Sequence, residues 1–366
     1  TLADRLDHEL ARRVPFILYS SSHDFAQTNI ADELIGEGIG GFTEAYRNRM
    51  VLPYPGSHEE YVHVVRHELV HAFMFDVAFG SSRAIGARSP FFSIPYWYAE
   101  GMAEWLSSGW DANADMFVRD ATINDYLAPL EYVGGYMAYK QGQAAMRLLS
   151  ARYGDEKLVE LWRRVGRVRS VERAVEQCLG LKMEDLDELY AKELRKRYWP
   201  SYADLEAAED IARPLTDHEE EQGGYNQRPA LSPDGDLVAF FSDRDGLTSL
   251  YLMSALDGKV LRRLVQGERS SRFESFHSFR SGISFDPSGR EVALVAKSGN
   301  AERLLTIAVA SGEVTRSLRL ELDAASSPAW SPDGRRVAVV GTRFGRTDLY
   351  LVDLDGDGGA DLAGAV

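Results

Sequence analysis

The sequence predicts a multidomain chain: a mainly α (α+β) domain over residues 1–200, a linker over 201–224 and an all-β repeat domain over 225–366. Three observations predict this division. Apolar residues recur at helical spacing in long runs up to about residue 200 and not beyond it. Between residues 201 and 224 the chain turns polar and acidic, with Glu219, Glu220 and Glu221 followed by a glycine pair, which is linker composition. After that, one proline-centred turn recurs three times between short β-branched stretches. A chain of 366 residues is also longer than one hydrophobic core usually serves.

The elements follow in order. Residues 14–19 and 41–54 are rich in β-formers and predict a small sheet at the front of the first domain. Residues 61–79, 95–106, 136–153, 157–165, 171–178 and 183–198 place apolar side chains three and four apart and predict helices. The first of these is opened by a Pro55-Gly56 turn and a capping box of Ser57 with Glu60. Pro95 stands at the first turn of the second, where a missing N–H is harmless.

The repeat in the last domain reads PALSPDGDLVAFFSDRDGLTSLYLMSALDG from Pro229, ISFDPSGREVALVAKSGNAERLLTIAVASG from Ile283 and PAWSPDGRRVAVVGTRFGRTDLYLVDLDGDG from Pro328. Its turn prolines Pro233, Pro287 and Pro332 lie 54 and 45 residues apart. Propeller blades repeat every ~40 to 50 residues, and turn, strand, turn, strand, turn is their grammar. A β-sandwich is the competing reading, disfavoured by three in-register copies of one turn. The segment resembles the TolB-type β-propeller repeat, whose SPDG turn and (I/L)Y strand are met by Ser331 to Gly334 with Leu349-Tyr350, and by Ser232 to Gly235 with Leu250-Tyr251. The middle copy departs, with Asp286 and Ser288 in exchanged positions. Because propellers close with about four to eight blades, the expectation is that further blades follow Val366 in a longer chain or that copies complete one another.

Charge and composition narrow the function. Hydrophobic residues make up 45% and charged residues 27%, and the net charge is −15, from 41 Lys plus Arg against 56 Asp plus Glu. That field repels phosphate, so no nucleic-acid partner is expected. No transmembrane segment is expected either, since no apolar run approaches the ~20 residues that span a bilayer. Cys178 is the only cysteine, which excludes an intrachain disulfide and leaves His and carboxylates as the ligands for any metal. The chain starts at Thr1 with no basic-apolar leader, so either a mature exported bacterial protein or a segment of a longer gene product fits. The expected location is exported, periplasmic or extracellular.

The most informative stretch is His67-Glu68-Leu69-Val70-His71. On a helix the two imidazoles share a face and reach one ion, while Glu68 stands beside them to deprotonate water. A hydrolytic zinc site takes a third protein ligand, and Glu100 and Glu104, four apart in YWYAEGMAEW, are acids on an otherwise apolar helix. HELVHAF followed by YWYAEGMAEW resembles the gluzincin metallopeptidases over about residues 14–200. The resemblance implies a zincin-like metallopeptidase domain in which His67, His71 and Glu100 bind Zn2+, Glu68 is the general base and Glu104 orients a ligand histidine, with the two acids interchangeable at this stage. Tyr139, or as second choice Tyr136, is similar in place to the oxyanion-stabilising tyrosine of such families. Gly41, Phe42 and Glu44 resemble the strand that holds substrate peptide, and Glu44 the acid that binds its free amine.

One further acidic cluster, Asp353, Asp355, Asp357 and Asp361, has the alternation of a Ca2+ loop. A glycine-rich turn is the favoured reading, since no bidentate Glu follows at the twelfth position. The expected function is therefore a zinc-dependent peptidase, endo- or aminopeptidase, acting on a peptide or protein substrate, with an all-β partial β-propeller as an interaction or gating module. The alternative is a catalytically silent scaffold that uses the propeller to recognise a protein partner.

Overall fold

In the computed structural model, the structure describes residues 1–19, 39–45, 47–54, 58–79, 94–217, 225–267, 275–278, 280–298, 301–354 and 362–363, with residues 25, 27, 28 and 273 as isolated positions. The helical part opens with a short helix α1 (Leu2–Leu6) and a sheet of β1 (Phe16–Tyr19), β2 (Phe42–Glu44) and β3 (Arg49–Pro53). The strand order is β1-β3-β2, β1 running parallel and β2 antiparallel to the central β3. Among the described residues β2 is thus an edge strand, beside α2 (His58–Phe79), the helix that carries the HExxH motif. Acidic Glu59 and Glu60 in its first turn complement the helix dipole. The expected capping residue, Ser57, lies outside the described residues.

Among the described residues, six further helices belong to this part: α3 (Tyr96–Ser108), α4 (Ala112–Ile123), α5 (Gly135–Tyr153), α6 (Asp155–Val168), α7 (Val171–Leu179) and α8 (Met183–Tyr202). One core joins them, with Val70 and Met74 of α2, Trp97 and Met102 of α3, Met146 of α5, Trp162 of α6 and Leu186 of α8 all buried. α4 was not expected from the sequence. Its signals are Asp111, whose side chain accepts from Ala114 N at 2.8 Å, and buried Ala114, Val118 and Ala121 on one face. α8 carries Pro200 and runs two residues past the expected domain boundary. The stretch expected as linker is not uniformly polar coil: it holds the short helix α9 (Ala208–Ile211), and Leu215 packs on the first sheet of the next domain.

α3 and α5 approach closely because both present glycine at the crossing. A Cβ on Gly142 would lie 2.1 Å from the Trp97 carbonyl oxygen, and one on Gly101 would lie 2.4 Å from the Gly142 carbonyl carbon. This contact brings Tyr139 and Lys140 of α5 up to Tyr96 and Glu104 of α3.

The described residues of the β domain form three antiparallel four-stranded meanders in register with the three repeats. The first is β4 (Asn226–Leu231), β5 (Leu237–Ser242), β6 (Ser249–Ser254) and β7 (Val260–Gln266). The second is β8 (Ile283–Phe285), β9 (Glu291–Lys297), β10 (Glu302–Ala308) and β11 (Val314–Arg319). The third is β12 (Ala324–Trp330), β13 (Arg336–Arg343), β14 (Arg346–Asp353) and β15 (Leu362–Ala363). Sheets one and two share a core of Ala239, Phe241, Leu250 and Leu252 with Val292, Leu294, Leu305 and Ile307. Sheets two and three share another, of Ala293, Val295 and Leu304 with Val337, Val339 and Val352. Face-to-face stacking of successive meanders is propeller architecture.

The repeated turn explains the exchanged pair in the middle copy. Ser232 Oγ accepts from Leu237 N and Ser331 Oγ from Arg336 N, both at 2.9 Å, and each hydroxyl donates to the Asp two residues on. In the middle copy Asp286 accepts from Glu291 N at 2.8 Å and from the Ser288 hydroxyl. Serine and aspartate trade places while the same bonds persist. The glycine that ends each turn, Gly235, Gly289 or Gly334, has φ of 82°, 71° or 72°, a region that L side chains enter only under strain.

Candidate metal centre

Three donor atoms converge between α2 and α3. His67 Nε2 lies 3.1 Å from Glu100 Oε2, His71 Nε2 lies 3.3 Å from the same oxygen, and the two imidazole nitrogens are 3.2 Å apart. The helical period puts both histidines on one face of α2, and the packing of α3 brings Glu100 to meet them. All three residues are buried, at 7%, 8% and 8% exposure.

The fit to a cation can be tested from these distances. A tetrahedral zinc with bonds of 2.0–2.1 Å has donor–donor edges of about 3.3 Å, and the edges here are 3.1, 3.2 and 3.3 Å. Two nitrogens and a carboxylate oxygen are also a borderline ion's donor set. The residues fit a zinc ion.

Electrostatics point the same way. Burial works against a charged His67, but hydrogen bonds to Glu100 and Glu104 overcome it and push its pKa up to about 10. Burial likewise works to raise Glu100, yet the charge of His71 and hydrogen bonds from both histidines hold it down to about 2. Without a metal ion, the two acids thus keep His67 protonated.

Behind the donors, Glu104 Oε1 accepts from His67 Nδ1 at 3.0 Å and Oε2 meets Lys140 Nζ at 2.6 Å. Of the two acids left open by the sequence, Glu100 therefore stands at the Nε2 side and Glu104 at the back nitrogen. Burial would raise the Glu104 pKa; hydrogen bonds from His63 and His67 and the charge of Lys140 outweigh it and keep the carboxyl ionised. Burial would lower Lys140, and Glu104 holds it up.

Glu68 is buried and its Oε2 lies 2.7 Å from the Thr43 hydroxyl of β2, which also sits 2.9 Å from the Glu68 carbonyl oxygen. A Cβ on Gly41 would come within 3.4 Å of the Glu68 side chain, so β2 runs directly beside this residue. The Tyr139 ring stacks on His67 at 5.8 Å and its hydroxyl is 3.2 Å from that of Tyr96. Burial, then the charge of Glu100, raises the Tyr139 pKa well above its ordinary value, so the phenol stays protonated. Tyr136 stacks on Tyr139 at 6.0 Å and accepts from Asn113 Nδ2 at 2.8 Å.

Glu44 is held at the end of β2, 3.1 Å from both Arg49 and Arg47 N, and closes the β2–β3 turn. Phe42 packs on Phe25 at 5.7 Å. Asp353 ends β14, whereas Asp355, Asp357 and Asp361 lie outside the described residues.

Sequence reasoning missed three residues here. His63 was signalled by its place four before His67, and its Nε2 lies 3.4 Å from Glu104. Lys140 was signalled only as a cation in the helix that also bears Tyr139. Thr43 has no sequence signal, because its partner is 25 positions away.

No protein-family model matches the chain. A TolB homologue from Chlorobium luteolum is 30% identical over 128 residues, which are 34% of this chain and 26% of that protein. The chain thus spans about a quarter of that relative. Among solved structures, TolB from Acinetobacter baumannii aligns at 18% identity with a TM-score of 0.32, covering 38% of this chain and 32% of that one. The putative TolB from Agrobacterium tumefaciens aligns at 22% identity with a TM-score of 0.30, covering 36% and 43%. The sequence likeness to the TolB homologue supports a TolB-like β-propeller for the β part.

Proposed function

We propose that the helical domain is a zinc-dependent peptidase joined to a propeller that recognises a protein partner. The observation that carries this reading is the triangle of His67, His71 and Glu100 donor atoms with edges of 3.1 to 3.3 Å. His67, His71 and Glu100 would hold the zinc ion, which when bound would supply Lewis-acid polarisation of a peptide carbonyl and a more acidic water. Glu68 takes the proton of the attacking water and returns it to the leaving amine, with the Thr43 hydroxyl fixing the orientation of its carboxylate. Glu104 keeps the proton on His67 Nδ1, which would leave Nε2 to hold the ion. The protonated Tyr139 hydroxyl is the donor toward the developing oxyanion. Substrate lies along the outer edge of β2, at Gly41 and Phe42, as an added strand.

The propeller supplies the interaction surface. It touches the helical domain beside the start of α2, where Arg280 pairs with Glu60 and the Tyr54 hydroxyl lies 3.5 Å from the Gly345 carbonyl. The likeness to a TolB homologue favours a second reading, in which the whole chain is a binding scaffold and the metal centre is catalytically silent. An exported location belongs to both readings. Among the described residues no helix is long and apolar enough to cross a membrane.

Metal analysis and a peptide-library assay of wild type and Glu68→Gln separate the readings. The peptidase reading expects one zinc per chain in both proteins and turnover about 10²- to 10⁴-fold lower in the variant. Zinc with no turnover by wild type leaves the scaffold, and no zinc at all removes the metal centre.

A further inference from the structure

The segment just before the first blade makes the contacts that an outer strand makes with the blade after it. In the first blade, the outer strand β7 carries Arg262 and Leu264. The Arg262 guanidinium donates to the Ala310 carbonyl at the outer turn of the second blade. The Leu264 carbonyl sits where a Cβ on Gly312, at φ +78°, would meet it at 2.5 Å. The Leu264 side chain is buried in the core that also holds Val292, Leu294, Leu305 and Ile307.

Every one of these contacts has a counterpart one blade earlier. Arg213 donates to the Leu256 carbonyl at the outer turn of the first blade. The Leu215 carbonyl sits 2.4 Å from the place of a Cβ on Gly258, at φ +73°. The Leu215 side chain packs on Val238, Phe240, Tyr251 and Met253, the positions equivalent to those under Leu264. The pattern Arg-x-Leu recurs at 213–215, 262–264 and 316–318. Pro214 fits as well, since an outermost strand has a free edge on which a missing N–H is tolerated.

At the opposite end, the third blade presents the face on which a following blade would stack. Its Leu349 and Leu351 correspond to Leu250 and Leu252 of the first blade, which the second blade covers. Leu349 is 56% exposed and Leu250 is 0% exposed.

We propose that residues 212–217 are the outermost strand of a propeller blade whose other three strands the same polypeptide contributes outside these 366 residues, so that the ring closes on this segment. A second copy of the chain is the poorer occupant. Each of the three described blades already has a fourth strand, β7, β11 or β15, in the position the segment would take.

Hydrogen exchange read by mass spectrometry on the complete gene product and on the 366-residue chain tests this. In the complete product, the amides of 212–217 should exchange on the order of 100-fold slower than in the 366-residue chain. Those of 260–266 should be protected in both. Leu215→Asp in the complete product should abolish the added protection while the α2 and α5 amides, as a control for folding, stay protected. Equal exchange of 212–217 in the two proteins overturns the proposal. So does protection that appears in the 366-residue chain only as its concentration rises, because the strand would then be pairing with a second copy.

Discussion

Replacing Lys140 with methionine tests whether the charge behind the candidate metal centre matters. Lys140 Nζ and Glu104 Oε2 are 2.6 Å apart, and both side chains are 5% exposed. Methionine keeps most of the volume and removes the cation, so Glu104 is left as a buried carboxylate with only histidine partners. Breaking a buried pair from one side costs about 3–5 kcal/mol. Glu104 can relieve part of that by taking up a proton, but it then holds His67 Nδ1 less well. Loss of such support behind a ligand lowers metal affinity about 10- to 100-fold. Urea denaturation of the metal-free protein reads the first effect, and zinc titration against a chelator reads the second. Lys140→Arg, which keeps the charge, should recover part of both. A methionine variant within about 1 kcal/mol of wild type and with unchanged zinc affinity would refute the chain from Lys140 through Glu104 to His67.

Three further outcomes follow from the same geometry. Gly142→Ala drives a methyl toward the Trp97 carbonyl, 2.1 Å away, and should destabilise the helical domain by about 3 kcal/mol, the upper end for overpacking; a loss below about 1 kcal/mol in denaturant titration means that α3 and α5 can part freely. In the metal-free protein the raised His67 pKa adds stability that is complete below its ordinary 6.5 and lost as pH rises through about 10. Zinc must displace that proton, so its apparent affinity should rise about tenfold per pH unit between about pH 7 and 9. Calorimetry in buffers of different ionisation enthalpy should show one proton released per zinc at neutral pH, and zero release contradicts the assignment. Tyr139→Phe should lower kcat about 10²- to 10³-fold with zinc content unchanged; full activity in that variant takes the oxyanion role away from Tyr139.

What could be read from the chain alone was whatever is local. A helical period of 3.6 puts His67 and His71 on one face regardless of the rest of the fold. The Ser-Pro-Asp-Gly turns close through bonds between residues at most five positions apart, so three repeats in sequence became three meanders in space. α4 escaped the reading because its buried face is made of alanine and valine, a weak apolar signal set among charged residues. The division of roles between Glu100 and Glu104 had to await the structure: both share one helix face, and only the approach of α2 decides which meets Nε2 and which meets Nδ1. Thr43 on Glu68, Lys140 on Glu104 and Leu215 on the first blade belong to the same class. Each joins residues more than twenty positions apart, and such pairs are set by the packing of whole elements, to which no short window of sequence has access.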